Sequence, residues 1–476
     1  MEASLISHER GVDKLYFCTL VFVSAIGGFL FGYDTSVIAG ANLYFDNEFP
    51  DISNFQKELI VSMALVGAAI GSIFGGPIAD KYGRKPTIII ADIMFTVGCL
   101  LMAFTPNIFW LIFGRFVVGI GIGVAAMVVP VYLAEISPKH IRGVIVNFNV
   151  IMITSAQFIS LVICLCLGDK WRWMLGLAAV PSALQLAGML CMHETPKWLY
   201  KTHQEEKANK VLCSIYNAPA SSLSDIVDEQ KTEALRVDGE TDQGYFDNLC
   251  SLIYEYRPCI IAGCGLQMIQ QLCGINTAMY YGPEIMQVAG FGNSNNKSQS
   301  LISTLPLAGM NALGSFIALM FIDRFGRRWI MLRSLPLIGF FMGVIGLGMG
   351  LRNHTDPDQT GLQEVGKWCA AGGLFFYLAA FSIGMGPTPW TVNSEVYPLH
   401  LRGMGNSMAT TTNWAVNFLV SISFLSLIKD VPFGDIIAFL LIFVFSLLGV
   451  VFVYFKIPET KGLSLNDVLS LFVGKK

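Results

Sequence analysis

Charge is what this chain has least of. Only 14% of its 476 residues are Asp, Glu, Lys or Arg, against about a quarter in soluble globular domains. Hydrophobic residues make up 54%, and the mean hydropathy is +0.57. An ordinary water-soluble domain is excluded, because most of this surface must face lipid. The net charge of −3 offers nothing to a polyanion, so no nucleic-acid partner is expected. There is no CxxC pair and no His/Cys cluster, and the 11 cysteines fall mostly inside apolar runs. They read as small membrane hydrophobes rather than disulfides or metal ligands. No glycine-rich phosphate loop and no nucleophile with a base is visible, so neither an enzyme nor a cofactor is expected.

What the chain does have is long apolar runs. A bilayer needs about 20 apolar residues per helix. Twelve candidates lie near 15–37, 58–79, 87–105, 109–134, 145–167, 173–192, 258–290, 300–322, 329–350, 367–392, 405–428 and 433–456. The first exceeds the usual signal-peptide core of about 7–15 residues and is expected to be retained. Basic residues flank the long middle loop (Lys197, Lys201, Lys207, Arg257) and the tail (Lys461, Lys475, Lys476). By the inside bias of Lys and Arg, both termini are then cytosolic. The sequons at Asn296 and Asn353 fall on the outer face. The polar stretch 193–257 carries helical spacing at 207–217, 221–236 and 245–256, as expected of short helices beneath the membrane domain.

The chain also repeats itself. DKYGRK at Asp80–Lys85 returns as DRFGRR at Asp323–Arg328, and AEISPKHIRG at Ala134–Gly143 returns as SEVYPLHLRG at Ser394–Gly403. HETPKWL at His193–Leu199 has a weaker echo in PETKGLS at Pro458–Ser464. Two related halves of a membrane chain are the mark of a transporter built from repeats.

The few polar residues inside the spans carry the chemistry. Asp34 lies in the first span, where a carboxylate costs about 2.5–3.5 kcal/mol at mid-depth. Either it sits at a wet helix end, or it pairs with Arg115 of span four as a proton-coupling device. Asp92 in span three has no evident partner and reads as structural. Span seven crowds Gln270, Gln271, Asn276, Tyr280 and Tyr281 into an apolar helix. On a straight helix Gln271 and Asn276 point about 140° apart, but Gly274 between them permits a break. Span ten has its own irregularity, Gly384-Met-Gly386-Pro387-Thr-Pro389-Trp390. Gln157, Asn311, Asn413 and Trp414 add polar groups at membrane depth. Amides that both donate and accept suit a small neutral polyhydroxyl ligand. The bland alternative for each is interhelical glue. Of the repeated loops, Asp80 with Arg84, Asp323 with Arg327, Glu135 with Arg142 and Glu395 with Arg402 read as an inner gate bridging helix ends. The alternative is charge that only sets topology.

At these residues the chain resembles the sugar porter family of the major facilitator superfamily. The resemblance covers nearly the whole length: GYD, GRK, GR…GIG, ETPKWL, QQLCGIN, GRR, EVYPLHLRG and PETKG. It implies an all-α membrane protein of twelve transmembrane helices in two six-helix bundles with a cytosolic helical linker. The corresponding boundaries are 1–192, linker 193–257, 258–457, and a short cytosolic tail at 458–476. It implies a substrate cavity at Gln157, Gln270, Gln271, Asn276, Asn311, Trp390 and Asn413. Family members with Asp at the position of Asp34 are typically proton symporters, and those with Asn there are facilitators. GINTAMYYGPEI, MGPTPWTVNSEVYP with its Asn393, and Asp92 are similar to the proton-coupled myo-inositol branch. HETPKWL departs from the usual PESPRWL. The expectation is a plasma-membrane proton symporter for a neutral polyol, with a hexose symporter or facilitator as the rival. A nutrient sensor is a more distant reading, disfavoured by the short tail.

Overall fold

The computed structural model describes residues 14–138, 141–219, 222–239, 245–292, 297–356, 358–398, 401–463 and 465–473. Asn296 and the side chain of Asp323 lie outside the described residues. Among the described residues, twelve helices are long and apolar enough to cross a membrane: Leu15–Asn42, Asn54–Tyr82, Arg84–Ala103, Ile108–Ile136, Arg142–Leu167 and Trp171–Cys191, then Arg257–Tyr280, Lys297–Phe321, Arg327–Asn353, Thr360–Glu395, Arg402–Asp430 and Gly434–Lys456. They are spans one to twelve below. The chain is an integral membrane protein and all-helical among the described residues.

Local signals place the helix ends. Ser53 and Gln56 form a reciprocal capping box at the start of span two, leaving few orphan amides there. Spans two and four then pack backbone to backbone. A Cβ on Gly67, Gly71, Gly119 or Gly123 would collide with carbonyl oxygens of the facing helix. Without a hydrophobic drive between helices in lipid, such close approach is what binds them.

The two bundles meet along spans two and eleven and along spans five and eight. Spans two and eleven run antiparallel in contact, from Asn54 against Asp430 to Ser72 against Trp414. The helices Pro196–Lys201, Glu205–Tyr216 and Ser224–Gly239 lie at one end of the molecule. Leu199, Tyr200, Val211, Leu212 and Leu223 share a core there with Phe17, Leu20, Ala79, Ile88 and Ile136 of the first bundle. We call this the linker end and its opposite the far end. After span twelve the described residues make one more helix, Leu465–Val473, whose Leu469 and Phe472 pack on the second bundle against the first part of span seven.

Candidate functional site

Both polar-rich spans are broken. Span seven is helical over Arg257–Leu272, turns at Gly274 with φ +83, and resumes over Ile275–Tyr280 and Gly282–Val288. Only glycine adopts that φ without strain. The break swings Asn276 back, so that its Nδ2 donates to Gln271 Oε1 at 2.9 Å. Span ten stops at Ile383 and restarts at Thr388. The carbonyls freed between them, at Met385 and Gly386, accept from Gln270 Nε2 at 2.8 and 2.9 Å. At the span-seven break the Cys273 carbonyl accepts from the Tyr377 hydroxyl of span ten at 2.8 Å, so each span satisfies backbone groups freed by the other's break, as depth in a membrane requires.

Around these breaks lies a network of hydrogen-bonded amide and hydroxyl clusters, one of which reaches the first bundle at Gln157. Gln271 Nε2 donates to Asn413 Oδ1 at 2.9 Å, and Asn413 Nδ2 donates to Gln267 Oε1 at 2.7 Å and Gln270 Oε1 at 3.0 Å. Asn311 Nδ2 donates to Gln157 Oε1 at 2.8 Å, joining span eight to span five, and Ser382 Oγ donates to Asn311 Oδ1 at 2.7 Å. Tyr281 donates to the Ser421 carbonyl at 2.8 Å, while Tyr280 Oη accepts from Asn417 at 3.5 Å. Trp414 donates to Ser72 at 3.0 Å, and Phe31 sets its edge on the indole. Trp390 is half-buried beside the span-ten break. These groups are uncharged and pair with one another. A polyhydroxyl ligand can replace such pairs one for one, without stranding a charge.

Gln267, Asn417 and Ser382 belong to this network and were not singled out from the sequence. Helical spacing carried the signal: Gln267 precedes Gln271 by four residues, and Asn417 follows Asn413 by four.

The ion pair lies alongside. Arg115 Nη1 donates to Asp34 Oδ1 at 2.5 Å and its Nε to the Ile60 carbonyl at 3.1 Å. Asp34 is 4% exposed and Arg115 1%, so a wet helix end does not describe this carboxylate. Thr35, next to Asp34, approaches the Tyr280 hydroxyl of span seven. Asp92 is buried, and its Oδ2 has no hydrogen-bond partner.

The repeated loops build one device twice. In the first bundle Gly83 has φ +105, and Glu194 accepts from the Lys85 amide at 3.0 Å. Arg84 pairs with Glu135 at 3.0 Å and Asp80 at 3.2 Å, and Thr195 Oγ1 donates to Glu135 at 2.6 Å. In the second, Gly326 has φ +95, and Glu459 accepts from the Arg327 amide at 2.9 Å. Arg327 pairs with Glu395 at 3.0 Å, and Thr460 Oγ1 donates to Glu395 at 2.7 Å. Each carboxylate of the ETPKWL and PETKG motifs thus caps a span, where the helix dipole favours it. Burial pulls Glu194 upward from the ordinary carboxylate range, and the amides of Thr195, Lys85 and Arg84 pull it back.

The pairing differs from the sequence reading. Glu135 and Glu395 bond to Arg84 and Arg327 inside their own halves, not to Arg142 and Arg402. The latter two start spans five and eleven, and their Nε atoms are buried without hydrogen-bond partners. The sequence put acid and base seven residues apart; a loop between them turns the arginines onto a different helix. Of the two sequons, Asn353 donates to Asp435 at 2.7 Å.

Two halves related by repeated loops, with broken helices around a buried amide cluster and an ion pair at its side, define a membrane transporter rather than an enzyme. Residues 20–472 match the family described as Sugar (and other) transporter. The chain belongs to that family, the sugar porters of the major facilitator superfamily. It is 36% identical to probable inositol transporter 2 of Arabidopsis thaliana, over 95% of this chain and 91% of the relative. It is 32% identical to the proton myo-inositol cotransporter of Homo sapiens, over 94% of this chain and 81% of the relative. Among solved structures, the proton:xylose symporter XylE bound to 6-bromo-6-deoxy-D-glucose superposes with a TM-score of 0.78 at 26% identity, covering 97% of this chain and 100% of that one.

Proposed function

We propose that this protein is a proton-coupled symporter that carries a neutral polyol, myo-inositol, across the plasma membrane by alternating access. The observation that carries the reading is the buried Asp34–Arg115 pair, at 2.5 Å, beside an amide cluster whose own polar groups are uncharged. Protonation of Asp34 removes the attraction that holds Arg115, so proton occupancy and helix position are linked. Gln157, Gln270, Gln271, Asn276, Asn311 and Asn413 meet the hydroxyls, with Tyr280, Tyr281 and Trp390 as aromatic walls. Relatives named as inositol transporters support the substrate, including one named as a proton cotransporter.

The linker end is the cytosolic end in this reading, with both termini there. Asp80, Arg84, Glu135 and Arg142, and Asp323, Arg327, Glu395 and Arg402, govern its opening. The unpartnered guanidinium atoms of Arg142 and Arg402 are the groups left to bond across the halves when that end closes.

A hexose or pentose is the second reading, favoured by a D-xylose transporter of Levilactobacillus brevis, 32% identical over 94% of this chain. Uptake of labelled inositol, glucose and xylose into proteoliposomes, with and without a pH difference, separates the two. Equal uptake with and without the pH difference would remove the symport reading. Uptake of a sugar but not inositol would remove the polyol.

A further inference from the structure

Besides the mid-depth pairs Gln157–Asn311 and Ser72–Trp414, the polar contacts that join the two bundles among the described residues cluster at the far end. Asn42 Nδ2 of span one donates to Glu284 Oε1 beyond the break of span seven at 2.7 Å. The Ser426 amide and hydroxyl of span eleven donate to the two oxygens of Glu58 in span two at 2.7 and 2.6 Å. Asn42, Glu284 and Glu58 are 1%, 5% and 0% exposed. Asn54 with Asp430, and Lys297 with Asn47, cross between the bundles at the rim above them. At the linker end the opposite holds, with Glu135, Glu194, Glu395 and Glu459 each bonded within its own half.

We propose that Asn42–Glu284 and Glu58–Ser426 form the latch of the outer mouth, and that Glu58 and Glu284 are positioning residues for its opening. The proposal rests on the transport reading, since opening here means the outward half of that cycle. The carboxylates sit where water is excluded, and the side-chain donors they use belong to the other bundle. Separation strips those donors at once, and the carboxylates regain partners only when water floods the mouth. Such a contact has two states, closed and dry or open and wet, with nothing stable between. Glu284 Oε2 and Asn42 Oδ1 have no hydrogen-bond partner, so the latch is incompletely satisfied and can be broken in each cycle. Lys429 and Lys57 are the cations that act on Glu284.

The test needs a reporter sealed by the closed mouth. Thr35 serves: it is 2% exposed and abuts Tyr280 of the other bundle. In oriented vesicles bearing Thr35→Cys, an impermeant maleimide is applied to the far face or to the linker face, and labelling is read against the same protein lacking that cysteine. Asn42→Ala, Glu284→Ala and Glu58→Ala should each raise far-face labelling about fivefold, the shift that loss of one such contact gives a two-state equilibrium. The same variants should lower linker-face labelling, because outward opening is gained at the expense of inward. Asn42→Ala combined with Glu284→Ala should add little to either alone, since they break one bond. Unchanged labelling in all three single variants overturns the latch. A rise from both faces also overturns it, because that is general loosening. A parent protein that moves no inositol or sugar refutes the transport reading, while the two-face comparison still reads the latch.

Discussion

Replacing Asp34 with Asn should uncouple this transporter while leaving its fold in place. Asp34 and Arg115 are 4% and 1% exposed. Deleting the carboxylate outright would strand a buried guanidinium at a cost of about 3–5 kcal/mol. Asn is gentler. It keeps an oxygen where Oδ1 now meets Arg115 Nη1 at 2.5 Å, and Arg115 Nε keeps the Ile60 carbonyl at 3.1 Å. The exchange of a charged for a neutral acceptor then costs about 1–2 kcal/mol, which a chain of this size survives. What Asn lacks is a proton to carry. With one proton per cycle, each pH unit across the membrane supplies about 1.36 kcal/mol, or roughly tenfold accumulation. The assay is labelled-inositol uptake into proteoliposomes holding a one-unit pH difference. The parent should concentrate substrate about tenfold, and Asp34→Asn should equilibrate near unity while still exchanging label at equal pH. An Asn variant that still concentrates substrate would show that the proton travels elsewhere, and the coupling role of Asp34 would be refuted.

Gly274→Ala should abolish binding and lower the melting temperature of the purified protein, because φ +83 is strained for alanine and its Cβ would lie 2.8 Å from Ile442 Cδ1; retention of both would mean the break is not needed. Gln271→Ala or Asn276→Ala should weaken substrate binding by about 1–3 kcal/mol, measured by equilibrium binding on purified protein that still folds. Unaltered affinity would move the site away from span seven. Glu395→Gln and Glu135→Gln should slow net uptake to a similar extent, by a few-fold at most for partly hydrated pairs, with substrate affinity retained. A large effect in one half alone would show that the repeated devices are not equivalent.

The sequence alone determined the architecture, and physical necessity explains why. A backbone in lipid must close its own hydrogen bonds, so runs of about 20 apolar residues can only be helices. The repeated loops then divided them into halves. The Asp34–Arg115 contact was readable for the same reason, since a carboxylate at membrane depth needs a partner and Arg115 is the basic residue singled out inside a span. The break at Gly274 was legible because glycine was the only local feature able to bring Gln271 and Asn276 to one side.

Tertiary structure alone decided the partners. Glu135 lies seven residues from Arg142 in sequence, yet it bonds to Arg84 and Thr195 because a loop reversal places their helix ends together. Asn42, Glu58 and Glu284 were not singled out from the sequence, and packing alone supplied their partners. Their meaning comes from whichever helix lies opposite, at a distance of hundreds of residues in the chain, and periodicity along one helix carries no record of that neighbour. The local sequence decides that a buried polar group needs a partner; only packing decides which one it finds.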